Sequence, residues 1–159
     1  MGHQAVMAAL AAVCLTVGNV GPSVRPETAA VRALVGRASA RSATFRSLVA
    51  SLDGLDARVY VQFASCSGPV PACLLMQQES SGPRTFVARL DRYGRSEEEL
   101  IVLLAHELQH AVEIAGASDV VDTESLRRFL RIHGRQWTCG FETPGAQTVA
   151  RKVATELRR

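Results

Sequence analysis

Apolar positions recur along this chain at two periods, and the switches between them divide it into blocks. Phe45, Leu48, Val49 and Leu52 fall at i, i+3, i+4 and i+7, one face of a helix over 43–52 that stops at Gly54. An Ala-, Val- and Leu-rich stretch predicts another helix before it, over 27–38. Residues 57–64 then alternate, Val59, Val61 and Phe63 against Tyr60 and Gln62, which reads as a strand. Cys73 to Gln78 and Arg84 to Leu90 read as two more strands, joined by Ser80-Ser81-Gly82-Pro83.

The helical period returns at Ser96. Ser96 and Glu99 have the spacing of a capping box, and Glu97, Glu98 and Glu99 complement the positive end of a helix dipole. Gly94 and Gly116 bracket this helix. Leu100, Leu103, Leu104, Leu108, Ala111, Val112 and Ala115 are nearly enough to bury it all round. Leu126, Phe129 and Leu130 mark a short helix after it. In the last block Thr143 caps and Pro144 takes the first helical position. Ala146, Val149, Ala150, Val153, Ala154 and Leu157 then form an apolar stripe. Helices, then a small antiparallel sheet, then helices: the order predicts an α+β fold.

Length and composition fit one globular domain over residues 22–159. The 159 residues are 47% hydrophobic and 21% charged, ordinary values, and there is no internal repeat. The net charge of +3 comes from scattered arginines that do not cluster beside aromatic residues, so the pattern gives no basis for nucleic-acid binding. Nothing in it sets an oligomeric state.

The N-terminus differs in kind. Ala5 to Val17 is an uncharged apolar run of signal-peptide length, too short to span a membrane, with small residues suited to cleavage at Gly18 to Gly21. Residues 1–21 therefore read as a signal peptide, and the mature chain as secreted or periplasmic with no stable membrane span. Met1 to Gln4 lack Lys and Arg, which leaves a buried or membrane-embedded N-terminal helix as the alternative. Cys66 and Cys73 flank the turn-rich Ser67-Gly68-Pro69-Val70-Pro71-Ala72 between two strand-like runs, which suits a disulfide in an oxidising compartment. The alternatives are two reduced thiols, or Cys139 joining a soft metal site. With the disulfide formed, Cys139 is left over.

The candidate chemistry lies in the long apolar helix, at His106-Glu107-Leu108-Gln109-His110. His106 and His110 are one turn apart, so both imidazoles project from one face and can grip one metal ion. Two histidines and a glutamate in such an apolar helix are costly unless something satisfies them, and a metal does so. The bland alternative is a pair of ordinary histidines bonded to nearby carbonyls.

The segment Leu104 to Glu113 resembles the active-site helix of the zincin metalloproteases, and that of small exported bacterial proteins with one such helix. The resemblance implies a Zn²⁺-dependent hydrolase, most often a peptidase acting on a peptide or protein substrate. Glu107 would take a proton from water at the zinc. A catalytic zinc needs three protein ligands. The metzincin pattern would place Gly at 113 and His or Asp at 116, where this chain has Glu113 and Gly116. The gluzincin pattern takes a glutamate from a later helix. Glu142, read as opening the C-terminal helix, is the first candidate, with Glu113 and Glu124 as alternatives and His133 and Asp122 as outsiders. Glu113, seven residues after His106, suits support of a ligand imidazole better than ligation. The resemblance also implies a sheet edge that pairs with extended substrate. Arg84 to Leu90 is the candidate for that edge, an inner core strand being the other reading. Tyr93, His133 and Tyr60 are candidates for steadying an oxyanion. The rival reading is a non-catalytic exported domain with a structural or vestigial zinc site.

Overall fold

A computed structural model describes residues 22–77, 82–137 and 140–159. The expected signal peptide and Cys139 lie outside the described residues. Each of the five helices described begins on a side chain that accepts a hydrogen bond from its first turn. These caps are Thr28 for α1 (Ala29–Arg41), Ser42 for α2 (Ala43–Asp53), Ser96 for α3 (Glu97–Gly116), Asp122 for α4 (Thr123–His133) and Thr143 for α5 (Pro144–Leu157). The Ser96–Glu99 capping box is formed in full.

The strands are β1 (Val24–Pro26), β2 (Ala57–Phe63), β3 (Ala72–Gln77), β4 (Arg84–Leu90), β5 (Arg135–Trp137) and β6 (Gly140–Glu142). The expected α+β class is what the chain adopts, but the main sheet is mixed rather than antiparallel, in the order β1-β2-β4-β3. β1 and β2 are parallel because α1 and α2 form the crossover between them. β2 is parallel to β4 because β3 takes the outer place, antiparallel to β4. Arg84 to Leu90, the candidate edge, is an inner strand flanked on both sides, with Thr85 to Ala88 all buried. The free edge on that side belongs to β3. β1, β5 and β6, at three residues each, are too short to show a period and were not expected.

Alternation assembles the core. Val59, Val61, Phe86, Ala88 and Leu90 point from the sheet into one cluster with Leu34, Phe45, Leu52, Leu104 and Leu108 from the helices. α3 contacts β4, β3 and β2 and also packs along α5. Its C-terminal end has no basic residue of its own. Arg84 serves instead, its Nη1 donating to the carbonyls of Ile114 at 2.6 Å and Ala117 at 2.7 Å. Cys66 and Cys73 are disulfide-bonded, tying the chain beyond β2 to the second residue of β3. No helix among the described residues is long and apolar enough to cross a membrane.

α5 is fastened to α2 by one carboxylate. Glu156 accepts from the hydroxyls of Ser42 and Thr44 and from the Thr44 amide. Those bonds hold its carboxyl below the ordinary 4.5, against a smaller opposing effect of burial. A depressed folded pKa adds stability that is present above the unfolded value and lost as pH falls through the folded one. Glu156→Gln should therefore lower the unfolding free energy by about 1 kcal/mol at pH 7, the figure for a partly solvated cap. The gap to wild type should shrink as the pH falls below 4.5, as read by denaturant titration at each pH. An equal gap at pH 7 and pH 3 would show that the charge is not responsible.

Candidate metal centre

The long apolar helix turns one polar strip away from the core. Leu104, Leu108 and Ala111 are fully buried in the cluster, while His106, His110 and Glu113 face α5 and the strands that precede it. His106 Nε2 and His110 Nε2 lie 3.2 Å apart, with rings nearly perpendicular at 82°. Glu142 Oε1 lies 3.1 Å from His106 Nε2. The ligand atoms of His106, His110 and Glu142 all fall within 4.8 Å of one another, and this group could hold a metal ion. Three lone-pair donors converging at that range repel unless a proton or a cation sits among them. The donor chemistry therefore fits a divalent metal that accepts mixed nitrogen and oxygen ligands.

Glu142 does not open α5. It ends β6, whose register pairs it with Arg135 of β5, and Thr143 stands between it and the helix. The β5–β6 pair, which contacts α4, and the capped start of α5 on its other side together fix where this carboxylate leaves the backbone. Gln147, in the first turn of α5, donates from Nε2 to Glu142 Oε2 at 3.4 Å.

Glu113 stands behind His110 rather than in the triad. Its Oε2 lies 3.6 Å from His110 Nδ1, too long for a formed hydrogen bond, and makes no hydrogen bond with the described residues. The contact is thus electrostatic, while Glu113 Oε1 accepts from Gln109 at 3.0 Å. Carboxylates that orient a ligand imidazole commonly stand in this place.

Charge is distributed unevenly over the site. Burial pushes the Glu107 carboxyl up to about 7; the charge of Glu142 adds to that, and His110 opposes it. A divalent cation held by the triad would draw it back down. Burial disfavours a charge on His106 and His110 alike. In His106 that effect prevails, helped by His110 and opposed by Glu142, and its pKa falls. In His110 the carboxylates of Glu113, Glu107 and Glu142 prevail, and its pKa rises. Glu113 is correspondingly lowered: burial pushes it up, but His110, Gln109 and Thr143 outweigh that.

The triad opens on a cleft of about 760 Å³. Its wall runs along β3 from Ala72 to Met76, then over Ile114, Leu126, Leu130 and Phe141 to Gln147. Other sequence candidates lie elsewhere. Glu124 is exposed on α4, 3.9 Å from Arg128, and Asp122 is the cap of α4. His133 is exposed and stacks on Phe129. Tyr93 is 90% exposed, and neither Tyr60, Tyr93 nor His133 lines the cleft.

The sequence reading missed Gly145. A Cβ built there would stand 2.1 Å from Glu113 Oε1 and 3.3 Å from Gln109 Nε2, so the Glu113 carboxylate keeps its present place only because this residue has no side chain. A glycine inside a helix, beside Pro144, was the available signal. Comparison with protein-family models, curated proteins and solved structures finds no match for this chain.

Metal titration tests the assignment. Glu142→Ala and His106→Ala should each abolish stoichiometric binding of a divalent metal, because two ligands remain. Gly145→Ala displaces the Glu113 carboxylate without touching a ligand, and should weaken binding roughly 10-fold with the fold intact. Full occupancy in Glu142→Ala would overturn the triad.

Proposed function

We propose that this chain is an exported zinc-dependent hydrolase of the zincin type, cleaving peptide bonds. The observation that carries the reading is the convergence of His106, His110 and Glu142 with Glu107 buried beside them on one cleft. Two imidazoles and a carboxylate suit zinc, and a catalytic zinc keeps three protein ligands where a structural one has four. Among the described residues the group has three. Zinc held there would supply Lewis acidity, acidifying water and polarising the scissile carbonyl.

The chain's own residues divide the remaining work. Glu107, adjacent to a ligand but outside the triad, accepts the attacking water's proton and passes it to the departing amine. His106, His110 and Glu142 fix the metal, with Glu113 and Gln109 fixing His110 in turn. β3 pairs only with β4 among the described strands, so its other edge offers backbone groups to an extended peptide. Leu74, Met76, Ile114, Leu130 and Phe141 line the cleft and suit apolar side chains.

Glu107→Gln should keep about one zinc per chain and lose hydrolysis by a factor of roughly 10²–10⁴, the range for a removed general base. Cys139→Ser should leave the zinc content unchanged, because the reading calls for no fourth protein ligand. Elemental analysis beside cleavage of a broad peptide pool measures both. Wild type that binds zinc and cleaves nothing, with zinc retention depending on Cys139, would replace the enzyme with a structural zinc domain.

Export is supported by the Cys66–Cys73 disulfide and by the apolar run at Ala5 to Val17. Intact-mass analysis of protein recovered from the cell envelope or medium should show a start near residues 19–27. The two cysteines should label only after reduction. A full-length chain with free thiols in the cytoplasm would refute export.

A further inference from the structure

Arg89 is the one Lys or Arg side chain lining the cleft among the described residues, and it forms no salt bridge with them. It sits on inner strand β4, opposite Cys73 of β3. Alternation puts it on the sheet face opposite that of Ala88 and Leu90, so the cleft borders both faces of β3 around its free edge. Among the described residues its buried Nε has no hydrogen-bond partner and no carboxylate pairs with it.

Its neighbours show how this chain otherwise treats arginines. Arg84, on the same strand, donates to the carbonyls of Ile114, Ala115 and Ala117, and Arg92 lies over the Phe63 ring at 5.6 Å. A half-buried guanidinium without a partner is disfavoured in the free protein, and an anion arriving in the cleft relieves that. The guanidinium fork matches a carboxylate in two parallel hydrogen bonds. The two carboxylates already in the cleft, Glu107 and Glu142, belong to the proposed zinc site.

We infer that Arg89 anchors substrate through a carboxylate, the C-terminal one or that of an Asp or Glu side chain, set apart from the bond to be cleaved. The ligand class is an otherwise apolar peptide carrying that one negative group. That the anchored peptide is then cut rests on the peptidase reading; the binding does not. Because Arg89 and the triad reach the cleft from opposite faces of the sheet, the anchor should act on KM rather than kcat.

The test uses the zinc-loaded full-length Glu107→Gln protein, in which binding is read without turnover. The probes are short apolar peptides in matched forms: Glu against Gln at each position, and free acid against amide at the C terminus. Calorimetric titration should show the carboxylate form binding about 10- to 100-fold tighter than its neutral match. The arm that carries the preference identifies the source. Adding Arg89→Gln should erase the preference and leave neutral peptides and the melting temperature unchanged, while Arg89→Lys should restore part of it. Equal binding of all matched forms, or a preference that survives Arg89→Gln, overturns the inference. Cleavage by wild type separates the two claims. Turnover with no carboxylate preference removes the Arg89 anchor alone. A preference lost in Arg89→Gln, with no peptide cut, removes the peptidase reading and leaves the anchor standing.

Discussion

Everything at the site depends on one awkward demand: a helix wrapped in apolar contacts must also keep two imidazoles and a carboxyl out of bulk water. Glu107 is 6% exposed and His110 7%, on the same α3 that supplies Leu104, Leu108 and Ala111 to the core. A group in that position is tolerated only with partners in place. The chain meets the demand by fixing both ends of α3 and closing its polar strip with a second element. The capping box holds the first turn, Arg84 holds the last, and the start of α5 lies against the strip between them. Loss of any of the three would let the strip move towards water and spread the ligand atoms apart.

The closing element works because it is built from local rules. Thr143 caps α5 and Pro144 fits its first position, so the helix begins at a set residue and Glu142 is left at the end of a strand. Gly145 then lets that start come within contact of Glu113. Three consecutive features of the backbone thus aim one carboxylate at His106 and leave room for another behind His110. The two acids differ by placement alone. Glu142 meets an imidazole Nε2 on the cleft side, and Glu113 meets an Nδ1 on the far side.

What was legible in the sequence was what is decided within a few residues. The α3 cap, its length and the common face of His106 and His110 follow from spacing alone. So did the α5 start and the short loop between Cys66 and Cys73, whose disulfide the structure contains. Glu142 was selected as the residue opening the last helix, and its place on a strand before that helix was invisible because β6 has three residues. Sheet topology was not legible: whether β2 runs parallel to β4 depends on where β3 lands, and no local pattern records that. Gly145 and Arg89 were missed for the same reason. Their importance lies in what stands opposite them in space.

Which strand lies at the edge is decided by burial, not by the apolar run alone. Both β3 and the middle of β4 are runs without a charge, but Thr85, Phe86, Val87 and Ala88 are all buried, whereas Leu75 and Gln77 of β3 are exposed. Adjacency in sequence to the active helix argued for β4, but burial is the stronger constraint, because only a covered strand can leave four successive residues dry. A free edge is a liability in its own right, since unpaired backbone groups recruit other chains. β3 limits it by being six residues long and by the disulfide at its second residue. The same tether bears on ligand binding. A strand held in place before a peptide arrives loses less freedom when the peptide docks, so an edge that is short and pinned both resists indiscriminate pairing and favours the ordered kind.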